Sequence, residues 1–350
     1  MKLIYLLSKK IKIFLALALF SILLTLLLVR IFAQSATVGL IVSPPYIAKD
    51  VKAGDVFEQL FDITNQTANS GTFVIESREV QIDAEGNFVS QADQTGNYKS
   101  TLEKNNWLTI TPKTLTLNVG ERKSFLVTVR MPNNYPTQGF YSEIAIYNQE
   151  NFNISDQAGA TSKIQSEVAI PLAINLIGAA PARERLEIVS FTTDKPWYEF
   201  TPVKFLSKIR NTGNVHTIAK GQIFISQESS FQNNLDTLTL NKSQQYVYNG
   251  SSRTFENPWN DASLRFDDDG NFIINWQDLS KIRFGQYFAQ LNLVWNGPQG
   301  KEFATAVVSF WIIPWKLILA AIVLLIILFI IFRKIFFKKN IADEPTKNQI

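Results

Sequence analysis

Apolar and polar positions alternate in short runs between residues 36 and 310, and outside that span the alternation stops. The clearest run lies between Trp107 and Tyr147. Trp107–Ile110 reads as a strand ended by Pro112, Leu115 and Leu117 alternate with threonines, and Asn118–Glu121 turns. Phe125, Val127 and Val129 then alternate along a strand closed by Met131-Pro132, and Phe140, Ser142, Ile144 and Ile146 along the next. A period of two puts one face in a core and the other in solvent. Val38–Val42, Val56–Thr64 and Thr72–Val80 read as earlier strands, with a hairpin at Gly86-Asn87. Val168–Ile177 closes this half, and Pro171 predicts a sheet edge or a bulge there.

The small-residue run Gly178–Ala182 reads as a linker. Beyond it Leu186–Thr192, Val203–Arg210, Gly221–Ser226, Tyr287–Trp295 and Phe303–Phe310 read as strands, with turns at Asn211–Asn214 and Asn296–Pro298. Phe266–Ile274 reads as a hairpin, and Ser226–Ile282 as a long insert. Strands at this spacing without helical runs predict an all-β chain of two tandem immunoglobulin-like β-sandwich domains, 36–178 and 183–310.

The ends predict a different environment. Residues 1–35 have a basic start, an apolar stretch from Ile13 to Val29 and small residues at Ala33 and Ser35, the pattern of an export signal. The stretch is long for a signal and Arg30 interrupts it, so a cleaved signal peptide and an uncleaved signal anchor both stay open. Residues 311–332 read as a C-terminal transmembrane helix. Trp311 and Trp315 would be interfacial aromatics, Lys316 would snorkel, and Arg333 and Lys334 would mark a cytoplasmic tail, 333–350. This predicts a single-pass cell-membrane protein with extracellular domains, a cytoplasmic C-terminus and the lipid bilayer as a partner.

Charge sharpens that division. The chain carries +4 overall, yet residues 36–310 hold 23 Lys/Arg against 28 Asp/Glu. The positive charge therefore belongs to the apolar flanks, and a nucleic-acid partner, which needs a basic folded domain, is not expected. The chain has no cysteine, which excludes thiol chemistry and favours a bacterial exporter over a disulfide-built ectodomain. The sequons at Asn65, Asn153, Asn241 and Asn249 read as polar turns.

Candidate chemistry is sparse. His216, the single histidine, could serve a Ser-His-Asp arrangement but reads as the end of a turn motif. Asp267, Asp268, Asp269 and Asn271 could face a calcium ion, yet Gly270 stands fourth in the run and no glutamate follows at the required distance. Asp83–Asn87 has the same form, which favours a hairpin turn at both places. The expectation is a protein that is not an enzyme and needs no cofactor. Trp197, Tyr198, Tyr246, Tyr248, Trp259 and Trp276 lie in turn-rich segments and are possible ligand contacts, since such side chains suit interfaces and sugar faces. Satellite core beneath the insert is the competing reading.

The run WLTITPKTLTLNVGERKSFLVTVRMP with GFY (Trp107–Tyr141) resembles the first domain of WxL-interacting proteins, surface proteins of Gram-positive bacteria. IRNTGNVH (Ile209–His216) and Pro314-Trp315 resemble the second domain and anchor of that family. The resemblance implies an immunoglobulin-like, peptidoglycan-binding first domain and a host-binding second one. Leu115–Tyr141 also resembles bacterial immunoglobulin-like modules of the pilus-chaperone type. The sequence thus predicts a non-catalytic binding protein of a bacterial cell surface, holding a cell-wall polysaccharide or a surface protein. The alternative is a structural or accessory subunit of an envelope membrane assembly.

Overall fold

The computed structural model describes residues 39–90, 99–149, 167–267 and 269–337. The signal segment, Asn153, Asp268 and the end of the tail lie outside the described residues.

Ten strands build a first sandwich: β1 (Leu40–Ser43), β2 (Ile47–Lys52), β3 (Val56–Asn65), β4 (Gly71–Ile82), β5 (Phe88–Ser90), β6 (Leu108–Thr111), β7 (Thr114–Leu117), β8 (Arg122–Arg130), β9 (Gln138–Asn148) and β10 (Glu167–Ile177). One sheet runs β1-β3-β8-β6 and the other β2-β10-β9-β4-β5, with β7 also on β4. Ser43-Pro44-Pro45 breaks the opening run, so β1 joins β3 antiparallel and β2 crosses to join β10 in parallel. Phe125, Val127 and Val129 point from β8 between the sheets and are fully buried; each contributes about 1.5–3 kcal/mol over exposure. Phe61 stacks on Phe125 at 5.1 Å.

A second sandwich repeats the plan with β11 (Leu186–Thr193), β12 (Trp197–Tyr198), β13 (Val203–Asn211), β14 (Thr217–Ile218), β15 (Lys220–Ser226), β16 (Asp236–Thr239), β17 (Tyr246–Val247), β18 (Ser252–Trp259), β19 (Leu264–Phe266), β20 (Phe272–Ile274), β21 (Gly285–Gly297) and β22 (Gly300–Ile312). One sheet runs β11-β13-β18 and the other β12-β22-β21-β15-β16. β12 again crosses over, pairing in parallel with β22. Its separate core gathers Phe205, Trp259, Tyr287, Leu291 and Phe310.

Three expectations need correction. Residues 226–282 are only partly an insert, because β16 and β18 are paired members of the two sheets. β18 escaped the period-two reading because its inward positions alternate Phe255, Asn257 and Trp259, with Pro258 between them. The outer face of β9 is also covered: Glu143, Ala145 and Tyr147 are buried. Arg78 lies over the Tyr147 ring and pairs with Glu76 at 2.7 Å and Glu167 at 2.6 Å. The C-terminal helix is Trp315–Phe337, and Trp311 belongs to β22. Pro171 does mark an edge, since β2 covers β10 only from Leu172 onward.

Asn65 and Asn241 are buried and structural. The Asn65 amide donates to Asn69 O at 2.9 Å and Leu117 O at 3.3 Å; that of Asn241 donates to Gln245 O at 2.8 Å. Asn211 repeats the Asn65 role at the end of β13, donating to Val215 O and Val247 O.

Candidate functional site

The two sandwiches meet end to end through residues whose peptide groups would otherwise be stranded. Asn175, the lone polar residue in the apolar end of β10, is 4% exposed. Its amide nitrogen donates to His216 O at 2.9 Å and to Asp50 Oδ1 at 2.8 Å, and its oxygen accepts from His216 N at 2.9 Å. Around this clasp Gly139 N donates to Asn214 O at 2.9 Å, the Asn214 amide to Thr137 O at 2.9 Å and Ser252 N to Ala84 O at 2.8 Å. The backbone on either side of the joint is tightly folded on itself, near Gly178 in the first sandwich and near Gly213 in the second. A Cβ on Gly178 would lie 1.9 Å from Tyr135 O, and one on Gly213 would lie 2.2 Å from Arg183 O. No larger residue fits either place without moving backbone.

An aromatic cluster seals the joint. Tyr248 meets Phe88 edge-on at 5.1 Å and Tyr141 at 5.2 Å, and His216 meets Tyr246 at 5.0 Å. Burial raises the Tyr141 hydroxyl pKa well above its ordinary value, and that hydroxyl accepts from Asn249 N at 3.3 Å. Burial pushes the His216 imidazole down to about 4, against the opposing pull of Asp50. Its Nδ1 has no hydrogen-bond partner among the described residues. A neutral imidazole of that pKa suits packing, and it is poorly matched to proton abstraction near neutrality.

Beside the clasp lies a cavity of about 450 Å³ shared by both sandwiches. Lys49 and Asp50 line it from the first sandwich, and Lys220, Tyr246, Trp295 and Lys301 from the second. Three lysines, two carboxylates (Asp50 and Glu184) and two aromatic rings line it, so ionic, hydrogen-bonding and stacking groups stand in one place, although the Lys49 ammonium lies over the Phe57 ring. Such a mixture can hold a sugar or peptide with acidic groups.

The six candidate aromatics do not form one site. Tyr246 and Tyr248 belong to the joint. Trp259 is fully buried against Tyr287 and Phe310, and Tyr198 is buried with its hydroxyl on Asp194. Neither offers a face to a ligand. Trp197 and Trp276 are exposed at the other end of the second sandwich. The sequence reading missed Asn175; the signal for it was one amide within an apolar strand.

Asp267 spends its carboxylate on its own turn, accepting from Asn271 N at 2.6 Å and the Asn271 amide at 3.2 Å. Asp83 does the same, accepting from Asn87 N and the Asn87 amide, both at 2.8 Å. Hydrogen bonds from Asn271 and from Asn87 hold the respective carboxyl groups below the usual range. Among the described residues no group of three or more His, Cys, Asp or Glu could hold a metal ion.

The residues expected at the membrane separate in the structure. Trp315 opens the C-terminal helix, while Lys316 reaches back to Glu199 at 2.8 Å. Arg333 and Lys334 lie near the helix end. The span Trp315–Lys334 is long and apolar enough to cross a membrane, and none of its most apolar window is buried.

No protein-family model matches the chain, and no curated protein does. Among solved structures it is similar to the class 5 fimbriae chaperone CfaA, at 15% identity and a TM-score of 0.33 over 76% of this chain and 98% of that one. It is similar to the chaperone-tip adhesion subunit pre-assembly complex CsuC–CsuE from archaic chaperone-usher Csu pili of Acinetobacter baumannii, at 13% identity and 0.33 over 76% and 97%. It is also similar to the E. coli chaperone DraB, at 9% and 0.32 over 78% and 97%. At these values the likeness assigns neither a partner nor a role.

Proposed function

We propose that the chain is a non-catalytic binding protein tethered to the outer face of a bacterial membrane by its C-terminal helix. Its two sandwiches act as two domains on a fixed joint and hold a cell-wall glycan or a surface protein. The observation that carries this reading is the cavity beside the Asn175 clasp: a preformed site, built from both sandwiches, costs little ordering when a ligand enters. The residue pattern resembling WxL-interacting proteins agrees with it. Lys220 and Lys301, on the second-sandwich side of the cavity, favour a ligand bearing carboxylate or phosphate groups there, with Asp50 and Glu184 available to its hydroxyl or amine groups.

Retention of the purified full chain on cell-wall sacculi tests the reading. Wild type should be retained, and Lys220→Glu with Lys301→Glu should be lost from the pellet while melting normally. Equal retention of both would remove the cavity from the function. Sidedness has its own test. An epitope placed after Gln299, in the exposed β21–β22 turn, should be cut by protease added to whole cells; protection until lysis would overturn the orientation.

The bare helix supports a second reading, an accessory subunit of an envelope assembly that meets its partners within the bilayer. Co-purification with membrane proteins, without wall retention, would favour it.

A further inference from the structure

The strand register puts one set of loops at the helix end of the second sandwich. β22 ends and β21 begins there, since Gly285 opposes Ile312. β13 begins and β18 ends there, since Val203 opposes Trp259. Residues 260–284 therefore lie at the end from which the helix leaves. Phe266 packs on Phe200, and both line one hollow together with Trp315, the first residue of the helix.

These loops carry large apolar side chains in the open: Trp197, Phe272, Trp276, Leu279, Ile282 and Phe284, with Trp276 73% exposed. The opposite end of the sandwich has no exposed large apolar residue in its loops, among the described residues. Two of the three cations of the segment are already matched, and the third, Arg265, is partly buried. Lys281 pairs with Asp261 at 2.7 Å, and Arg283 pairs with the same carboxylate at 3.0 Å. Asp269, Asn271, Gln277 and Ser280 are exposed in the same loops, yet six large apolar side chains gathered in the open at one end are the mark of an interaction site.

The connection to the helix is short and pinned. Only Ile313 and Pro314 separate β22 from the helix. Ile313 N donates to Tyr198 O at 2.7 Å, and Lys316 holds Glu199. Whatever surface the helix enters is met by these loops.

We propose that this end of the second sandwich is a lipid-contacting surface, with Trp197, Phe272, Trp276, Leu279, Ile282 and Phe284 seated in the interfacial layer of the bilayer that the helix crosses; this rests on the membrane reading above. Tryptophan and phenylalanine favour that layer. Because apolar burial drives the contact, phosphatidylcholine suffices and salt does not release it.

The chain has no cysteine, so single substitutions report cleanly. Trp276→Cys, Phe284→Cys, Phe303→Cys and Ile322→Cys, each in the full chain, are labelled with a polarity-sensitive fluorophore and reconstituted in phosphatidylcholine vesicles containing nitroxide lipid. Phe303 is exposed on β22 but lies eight residues from Trp311, about 27 Å along the strand. The 276 and 284 labels should be blue-shifted and lose most of their emission, at low and high salt alike, while the 303 label keeps its own. If the 276 and 284 labels behave like 303 while 322 is quenched, the anchor stands and the lipid surface is refuted. If they are blue-shifted but unquenched, a protein covers the loops and the proposal falls. An unquenched 322 label overturns the anchor and the proposal together. Matching near-UV circular dichroism confirms that each variant is folded.

Discussion

Replacing Asn175 with alanine removes the clasp and changes little else. Two buried peptide groups, His216 N and His216 O, lose their partner; Asp50 is exposed and recovers water. A buried polar group left unpaired costs about 1–3 kcal/mol. Some water entry at the vacated volume offsets part of this, so the expected loss is roughly 2–4 kcal/mol, or about 5–10 °C in melting temperature for sandwiches of this size. Near-UV circular dichroism of the full chain in detergent reads the transition, because Tyr141 and Tyr248 sit in the same joint. Asn175→Asp should be worse near neutrality. It keeps the acceptor for His216 N, loses the donor for His216 O, and sets a second carboxylate beside Asp50. An alanine variant melting within about 1 °C of wild type would refute the reasoning. So would an aspartate variant more stable than the alanine one.

Two further outcomes are expected. Burial lowers the His216 pKa from 6.5 to about 4 in the folded chain, so the unfolded chain binds more protons between those values and stability falls as pH drops through that window. The full effect is about 3 kcal/mol; thermal melts from pH 7 to 4.5 should show it in wild type and a flatter profile in His216→Asn. Trp259→Ala should cost about 3–5 kcal/mol through loss of core, whereas Trp276→Ala should stay within about 0.5 kcal/mol. Urea titration of the two variants compares them directly.

The sandwich strands were legible where inward positions are uniformly apolar. Phe125, Val127 and Val129 on β8 gave an unambiguous period, and Leu291 and Leu293 did so on β21. β18 was not legible, because Asn257 occupies an inward position and its amide nitrogen donates to Thr239 O and Leu240 O, partners remote in sequence. Of the site, Tyr246 and Tyr248 could be picked out by type, but their place in the joint could not. Asn175 and His216 are 41 residues apart, and only the stacking of one sandwich on the other brings them together. The same limit explains Trp259: its sequence neighbours are turn-like, and its burial comes from Tyr287 and Phe310 on distant strands.

The route of the chain through the second sandwich also determines how it carries load. It enters at the start of β11, at one end, and leaves from the end of β22, at the other. A pull between the first sandwich and the helix therefore runs along the strands. β22 is held to β21 by a ladder of 13 residue pairs, and tension in that direction loads all of them in shear at once, with no unzipping from one end. Such a geometry resists extension along the strands better than one in which the pairs are peeled apart singly.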